Sequence, residues 1–255
     1  MTHRTGPPPA LVAGGGILLM AVFAGFGNLV VVEGMVTPGD PTQTAADVLA
    51  APGMFRLGVA SLYVVVLLDV IVAWGLFRVF SPVDVGVSRL AAWLRLTYAA
   101  VFMVAISQLA GIPDLLGGDA YSGTFTADQL DAQALQKVDA FYDIWFAGLI
   151  LFGAHLLVIG YLTYVSGRVP SALGVLLVIA GLGYLYDSAA TDLSDGSPFL
   201  VSTLTFLGEL LLAVWLVLRG SRPARRQDLA DPAVDMDATA WSTMATSSSR
   251  FGPGL

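Results

Sequence analysis

Cysteine is absent from the 255 residues, lysine occurs once, histidine twice, and charged side chains make up only 12% of the chain. Each scarcity closes off a chemistry. Without thiols there is no disulfide, thiolate metal site, iron–sulfur cluster or cysteine nucleophile, whatever the redox state of the compartment. His3 and His155 cannot assemble a zinc site of the usual kind unaided, so neither a metal nor another cofactor is expected. The one lysine, Lys137, lies at the edge of an apolar run, which excludes a retinal-type Schiff base inside a membrane. The formal charge of −7 leaves no basic stripe for releasing phosphate counterions, so nucleic acid is not an expected partner.

A soluble domain carries roughly 25% charged residues, well above the content here. In their place stand 56% hydrophobic residues and a mean hydropathy of +0.77. That composition points to the lipid bilayer as the partner. Crossing ~30 Å of hydrocarbon takes ~20 mainly apolar residues at ~1.5 Å each, and six such runs occur, at 9–32, 55–80, 90–112, 141–165, 170–186 and 199–218. The fifth is near the shortest usable length, so a re-entrant or tilted hairpin is its alternative. The first follows Arg4 but exceeds the apolar core of a signal peptide, and reads as an uncleaved anchor.

Short loops rich in Lys and Arg stay in the cytoplasm. One set of flanks holds Arg4, Arg78, Arg89, Arg168, Arg219, Arg222, Arg225 and Arg226, and the other only Arg56 and Lys137. The expected fold is therefore an all-α bundle of six transmembrane helices in the cytoplasmic membrane, with both termini cytoplasmic. Its parts are an amino-terminal segment (1–8), the membrane domain (9–220) and a tail (221–255) too polar to bury a core. The opposite face is acidic, from Glu33, Asp40 and Asp47 through Asp114, Asp119, Asp128, Asp131 and Asp139 to Asp187, Asp192 and Asp195, and reads as a solvated surface. Thr126 and Gln129 form a capping-box pattern with a Phe125–Leu130 staple, so a helix is expected to begin outside the membrane and to run into the fourth span.

Ionisable groups in hydrocarbon cost ~2.5–3.5 kcal/mol on insertion scales, so each needs a partner or a purpose. Four spans supply one apiece: Asp69, Arg95, His155 and Glu209, at depths within ~10 Å of one another by the helical rise. They form one buried polar cluster if their helices adjoin. Ser202, Thr205 and Glu209 follow i, i+3, i+7 spacing and make a polar stripe that should face protein. Tyr98 lies one turn from Arg95 and is placed to hydrogen-bond a carboxylate. One guanidinium shared between carboxylates would glue helices together. The surplus carboxylate, with His155 near it, instead allows a proton or cation site. Trp74, Trp145, Tyr161 and Tyr184 read as an interfacial belt, or alternatively as a pocket lining. Small residues at Ala21 and Gly25, Gly148 and Gly153, and Gly174, Gly181 and Gly183 predict close helix packing, as do Gly14, Gly15 and Gly16. No serine and histidine are placed to form a hydrolytic dyad: Ser166 and His155 lie about three turns apart on one helix.

The string FGAHLLVIGYL at 152–162, continuing through SGRVP at 166–170, Leu173-Gly174 and Gly181-Leu182-Gly183-Tyr184, resembles the domain of unknown function 4386 family. Asp69, Arg95-Leu96, Gly208-Glu209, Trp215-Leu216 and Arg219-Gly220 fit the same pattern, and the resemblance covers about 10–220. It implies a polytopic bacterial membrane protein and carries no activity, cofactor or site residue with it. The expectation is a non-enzymatic membrane protein, a small-ligand sensor or accessory subunit, whose partner is a small molecule or another membrane protein. The alternative is a proton-coupled transporter of a small solute.

Overall fold

The computed structural model describes residues 8–193 and 199–220. In chain order its elements are α1 (Pro9–Ala24), a π-helical segment (Gly25–Val32), α2 (Glu33–Met35), α3 (Pro41–Ala50), α4 (Pro52–Phe80), α5 (Val85–Ala110), α6 (Ile112–Gly117), α7 (Asp119–Ser122), α8 (Ala127–Val165), α9 (Ser171–Leu193) and α10 (Phe199–Gly220). Among the described residues there is no strand. The tail expected at 221–255, nearly all of the amino-terminal segment, and the side chains of Ser202 and Thr205 lie outside the described residues.

Among the described residues five helical stretches are long and apolar enough to cross a membrane: Pro9–Met35, Pro52–Phe80, Val85–Gly117, Ala127–Val165 and Ser171–Ser188. Their outer surfaces are apolar. Leu67, Val70, Ile71, Val104, Ile150, Ile179 and Leu182 are exposed, while Asp69, Arg95, His155 and Glu209 are buried. This inverts the order of a soluble domain and is what hydrocarbon solvent requires. The exposed hydroxyls of Thr97 and Ser107 donate to the Trp93 and Val104 carbonyls of their own helix, so they meet lipid already satisfied.

The six long helices close into a ring. Each packs on two others, in the cyclic order α1, α4, α5, α8, α9, α10 and back to α1. Close backbone approach makes two of these contacts. A Cβ on Gly153 would meet the Gly181 carbonyl oxygen at 2.8 Å, and one on Gly160 would meet that of Gly174 at 2.9 Å, so α8 and α9 run antiparallel with glycine against glycine. α9 is one continuous helix of 23 residues, not a re-entrant hairpin. On α1, Gly14 faces the backbone of α10 at Ala213 and Gly16 faces Val72 of α4, while a Cβ on Gly15 would meet open space, against the expectation of close packing there. Gly25 departs from expectation: a side chain there would meet open space, so it is not a packing glycine.

Helix ends follow local chemistry. Asp84 caps α5 by accepting from Val87 N at 2.9 Å, and Thr126 and Gln129 form the reciprocal capping box that starts α8. At ~1.5 Å per residue the 39 residues of α8 span about 58 Å, far more than hydrocarbon needs. Its first turns bury Leu130, Ala134, Leu135 and Val138 against α3 and α6, forming a small cap at the acid-rich end. α3 was not anticipated from the apolar runs, although Asp40, Pro41 and Gln43 carry a start signal: Asp40 accepts from Gln43 N at 2.9 Å and Pro41 is the first helical residue.

The first long helix changes register at Gly25. There the hydrogen bonds lengthen to the i→i+5 pattern, and the Ser61 hydroxyl of α4, which donates to the Gly58 carbonyl of its own helix at 2.7 Å, also lies 3.1 Å from the Phe23 carbonyl oxygen. Gly27 permits that approach, since a Cβ there would collide with Ser61 Oγ. Asn28 turns inward and is buried. Its amide donates to Glu33 Oε1 at 2.7 Å, and its oxygen accepts from the Tyr142 hydroxyl at 3.4 Å, tying the π segment to α8.

Candidate functional site

The ring places Arg95 at its centre. On α5, Ala91, Arg95, Tyr98, Ala99 and Phe102 share the buried face, as i, i+3/i+4, i+7 spacing requires. The guanidinium is fully buried and its donors are distributed over four other helices. Nε donates to Asp69 Oδ1 of α4 at 2.8 Å, and Nη1 donates to Glu209 Oε1 of α10 at 2.6 Å. Nη1 also donates to His155 Nε2 of α8 at 3.2 Å, and Nη2 approaches the sulfur of Met20 on α1 at 3.7 Å. The Phe152 ring lies 5.3 Å beneath the guanidinium carbon, at cation–π distance. Arginine suits the position because its planar fork gives five directed donors from a group that does not lose its proton.

His155 has a defined role in this geometry. Its Nδ1 lies 2.8 Å from the Ala91 carbonyl, which can only accept, so Nδ1 carries a proton and donates it. Arg95 can only donate, so Nε2 accepts and the imidazole is neutral. Both ring nitrogens are thus engaged, and neither is bonded to a carboxylate.

Two carboxylates face one guanidinium, and a fully buried oxygen is left without a donor. Asp69 is fully buried, and its Oδ2 has no hydrogen-bond partner. Asp69 and Glu209 also line a cavity of about 340 Å³ on the acid-rich side of Arg95. Tyr98, Phe102, Trp145, Phe146, Phe152 and Tyr184 supply its aromatic walls, and Gly25, Asn28 and Leu29 of the π segment border it. The rings form a connected set. Tyr98 stacks on Phe102 at 5.9 Å, Phe152 meets Tyr184 edge-on at 5.4 Å, and Phe102 lies 5.3 Å from Trp145. Trp145 Nε1 donates to the Tyr98 hydroxyl at 3.0 Å, fixing two walls against each other.

Of the residues singled out from sequence, Asp69, Arg95, His155 and Glu209 come together, and Tyr98 lies beside them bonded to Trp145 rather than to a carboxylate. The four aromatics considered as one group divide. Trp145 and Tyr184 line the cavity, while Trp74 and Tyr161 are 52% and 54% exposed on the outer surface. Sequence reasoning missed Asn28, Met20, Phe102 and Phe152. Only Asn28, a lone amide in an apolar run, gave a signal that could have found it.

The model of a family described as a domain of unknown function, DUF4386, matches residues 12–220. An uncharacterized protein of Archaeoglobus fulgidus is 31% identical over 164 residues, covering 64% of this chain and 84% of the relative. Because that relative is archaeal, resemblance alone does not assign the chain to a bacterium. No solved structure matches.

Proposed function

The chain belongs to the DUF4386 family, whose description assigns no activity, so function has to be read from the site, and we propose a non-enzymatic, small-ligand-binding membrane protein of the sensor or accessory type. In this reading α10 is a sixth span and both termini are cytoplasmic. The protein is multi-pass in the cytoplasmic membrane, with a polar tail after residue 220. Arg95 holds the bundle together, and the cavity beside it receives the ligand.

The observation that carries the reading is the cavity itself. Its volume falls within the ~300–1,000 Å³ range of small-molecule sites, and it has the apolar walls and few convergent polar groups typical of them. The natural lack of cysteine provides a direct test. Ala24 borders the cavity, whereas Ala13 is sealed between α1 and α4. A cysteine replacing Ala24 is expected to react with a small methanethiosulfonate reagent, and one replacing Ala13 is not. Equal protection of both would overturn the ligand site.

A second reading, a proton-coupled transporter, is favoured by one observation: two carboxyl groups share one guanidinium, so one of them has no cation of its own. Proteoliposomes containing the protein are then expected to show proton flux that Glu209→Gln abolishes. Absence of flux, with the bundle intact, removes this reading.

A further inference from the structure

We infer that the cavity is built for a small protonated organic amine, whose ammonium group sits on Asp69 and whose apolar body lies among the aromatic rings. The inference rests on the ligand-binding reading above and adds the chemical class. Charge balance is the first argument. With His155 neutral, Asp69 and Glu209 ionised would outnumber Arg95 by one negative charge. Arg95 is not among the residues that line the cavity, so the lining presents carboxylates and no cation. A carboxylate or phosphate ligand would meet like charge there.

The unsatisfied acceptor is the second argument. Asp69 lies on the cavity wall, and the one of its two oxygens that Arg95 does not bond, Oδ2, is fully buried and has no partner. A buried acceptor without a donor is costly, and a ligand N–H would satisfy it. That requirement selects an amine bearing at least one hydrogen over a quaternary ammonium ion.

The walls are the third argument. Ring faces carry negative quadrupole charge and attract cations, and six aromatic side chains surround the space. A bare metal cation would need six or more oxygen ligands in the manner of calcium. Here Asn28 already bonds Glu33 and Tyr142, and no group of three or more metal-ligating side chains occurs among the described residues. An organic cation uses the same surface with one hydrogen bond and apolar contact. The acid-rich end of the bundle on this side, with Asp40, Asp47 and Asp119, would concentrate cations near it.

Three probes of nearly equal shape test the proposal on the full-length protein in nanodiscs at neutral pH: phenethylammonium, neutral 2-phenylethanol and anionic 3-phenylpropionate. Thermal unfolding and tryptophan emission are the readouts. The amine is expected to raise Tm and change the emission, with tenfold or greater preference over the alcohol and no response to the acid. Asp69→Asn is expected to weaken amine binding at least tenfold and leave the alcohol unaffected. Ala24→Phe, which fills the cavity without touching Arg95, is expected to abolish the amine response while the unliganded protein still unfolds cooperatively. Equal binding of alcohol and amine would overturn the amine inference and leave the ligand site standing. Silence toward all three probes, with Ala24→Cys inert to reagent, would remove both. Persistence of full amine binding in a folded Ala24→Phe protein would place the amine elsewhere and also overturn the inference.

Discussion

Arg56 and Arg95 each bring a guanidinium nitrogen within 2.6 Å of a carboxylate oxygen, one at the acid-rich end of the bundle and the other in its middle. Arg56 and Asp114 are 56% and 76% exposed, whereas Arg95 and its partners are almost wholly enclosed. At the surface, water solvates the separated ions nearly as well as they solvate each other, and such pairs contribute about 0–1 kcal/mol. In the interior no solvent replaces a missing partner. Separating that pair exposes a charge to hydrocarbon, and breaking a buried pair from one side costs ~3–5 kcal/mol. Distance alone is therefore a poor guide to what an ion pair holds together. The environment decides.

The contrast can be broken most forcefully at Arg95. Arg95→Leu strands two carboxylates, and its thermal unfolding in detergent is expected to show a loss of ~3–5 kcal/mol or failure to accumulate folded protein. Adding Asp69→Asn and Glu209→Gln to that variant should recover much of the loss, because no buried charge is then left unpaired. If the triple variant is no more stable than Arg95→Leu, unpaired charge is not the source of the loss. Glu209→Gln alone keeps an acceptor for Nη1 but gives up the ionic character of a 2.6 Å bond, and is expected to cost ~1.5–3 kcal/mol by the same measurement. Arg56→Ala should shift stability by less than ~1 kcal/mol, and the shift should vanish in high salt. A salt-insensitive loss as large as that at Arg95 would erase the distinction.

The same difference in environment explains what could be read from the chain before its structure. The long helices were legible because hydrocarbon imposes a length and a composition, and the start of α8 because Thr126 and Gln129 cap it. Asp69, Arg95, His155 and Glu209 stood out for the reason that makes them consequential: each is a charge or imidazole in an apolar run. The cavity was not legible. Its walls are aromatic residues in an apolar protein, and nothing in the surroundings of Trp145 distinguishes it from Trp74 until the helices are placed side by side. The π segment was equally hidden, since its sequence, GFGNLVVV, reads as ordinary membrane helix. α3 escaped because ten residues are too few to register as a span, although its cap was in view.

The closure of α10 onto α1 has a consequence for biogenesis. Ribosomes deliver the chain from its amino end, so Asp69, Arg95 and His155 are synthesised before Glu209, and the second carboxylate arrives only with the final helix. Until then Arg95 has a single ionic partner and α1 lacks one of its two flanking neighbours. A prematurely terminated product would thus leave the ring open beside α1 and Arg95 Nη1 without its 2.6 Å carboxylate acceptor, a difference that separates unfinished chains from finished ones.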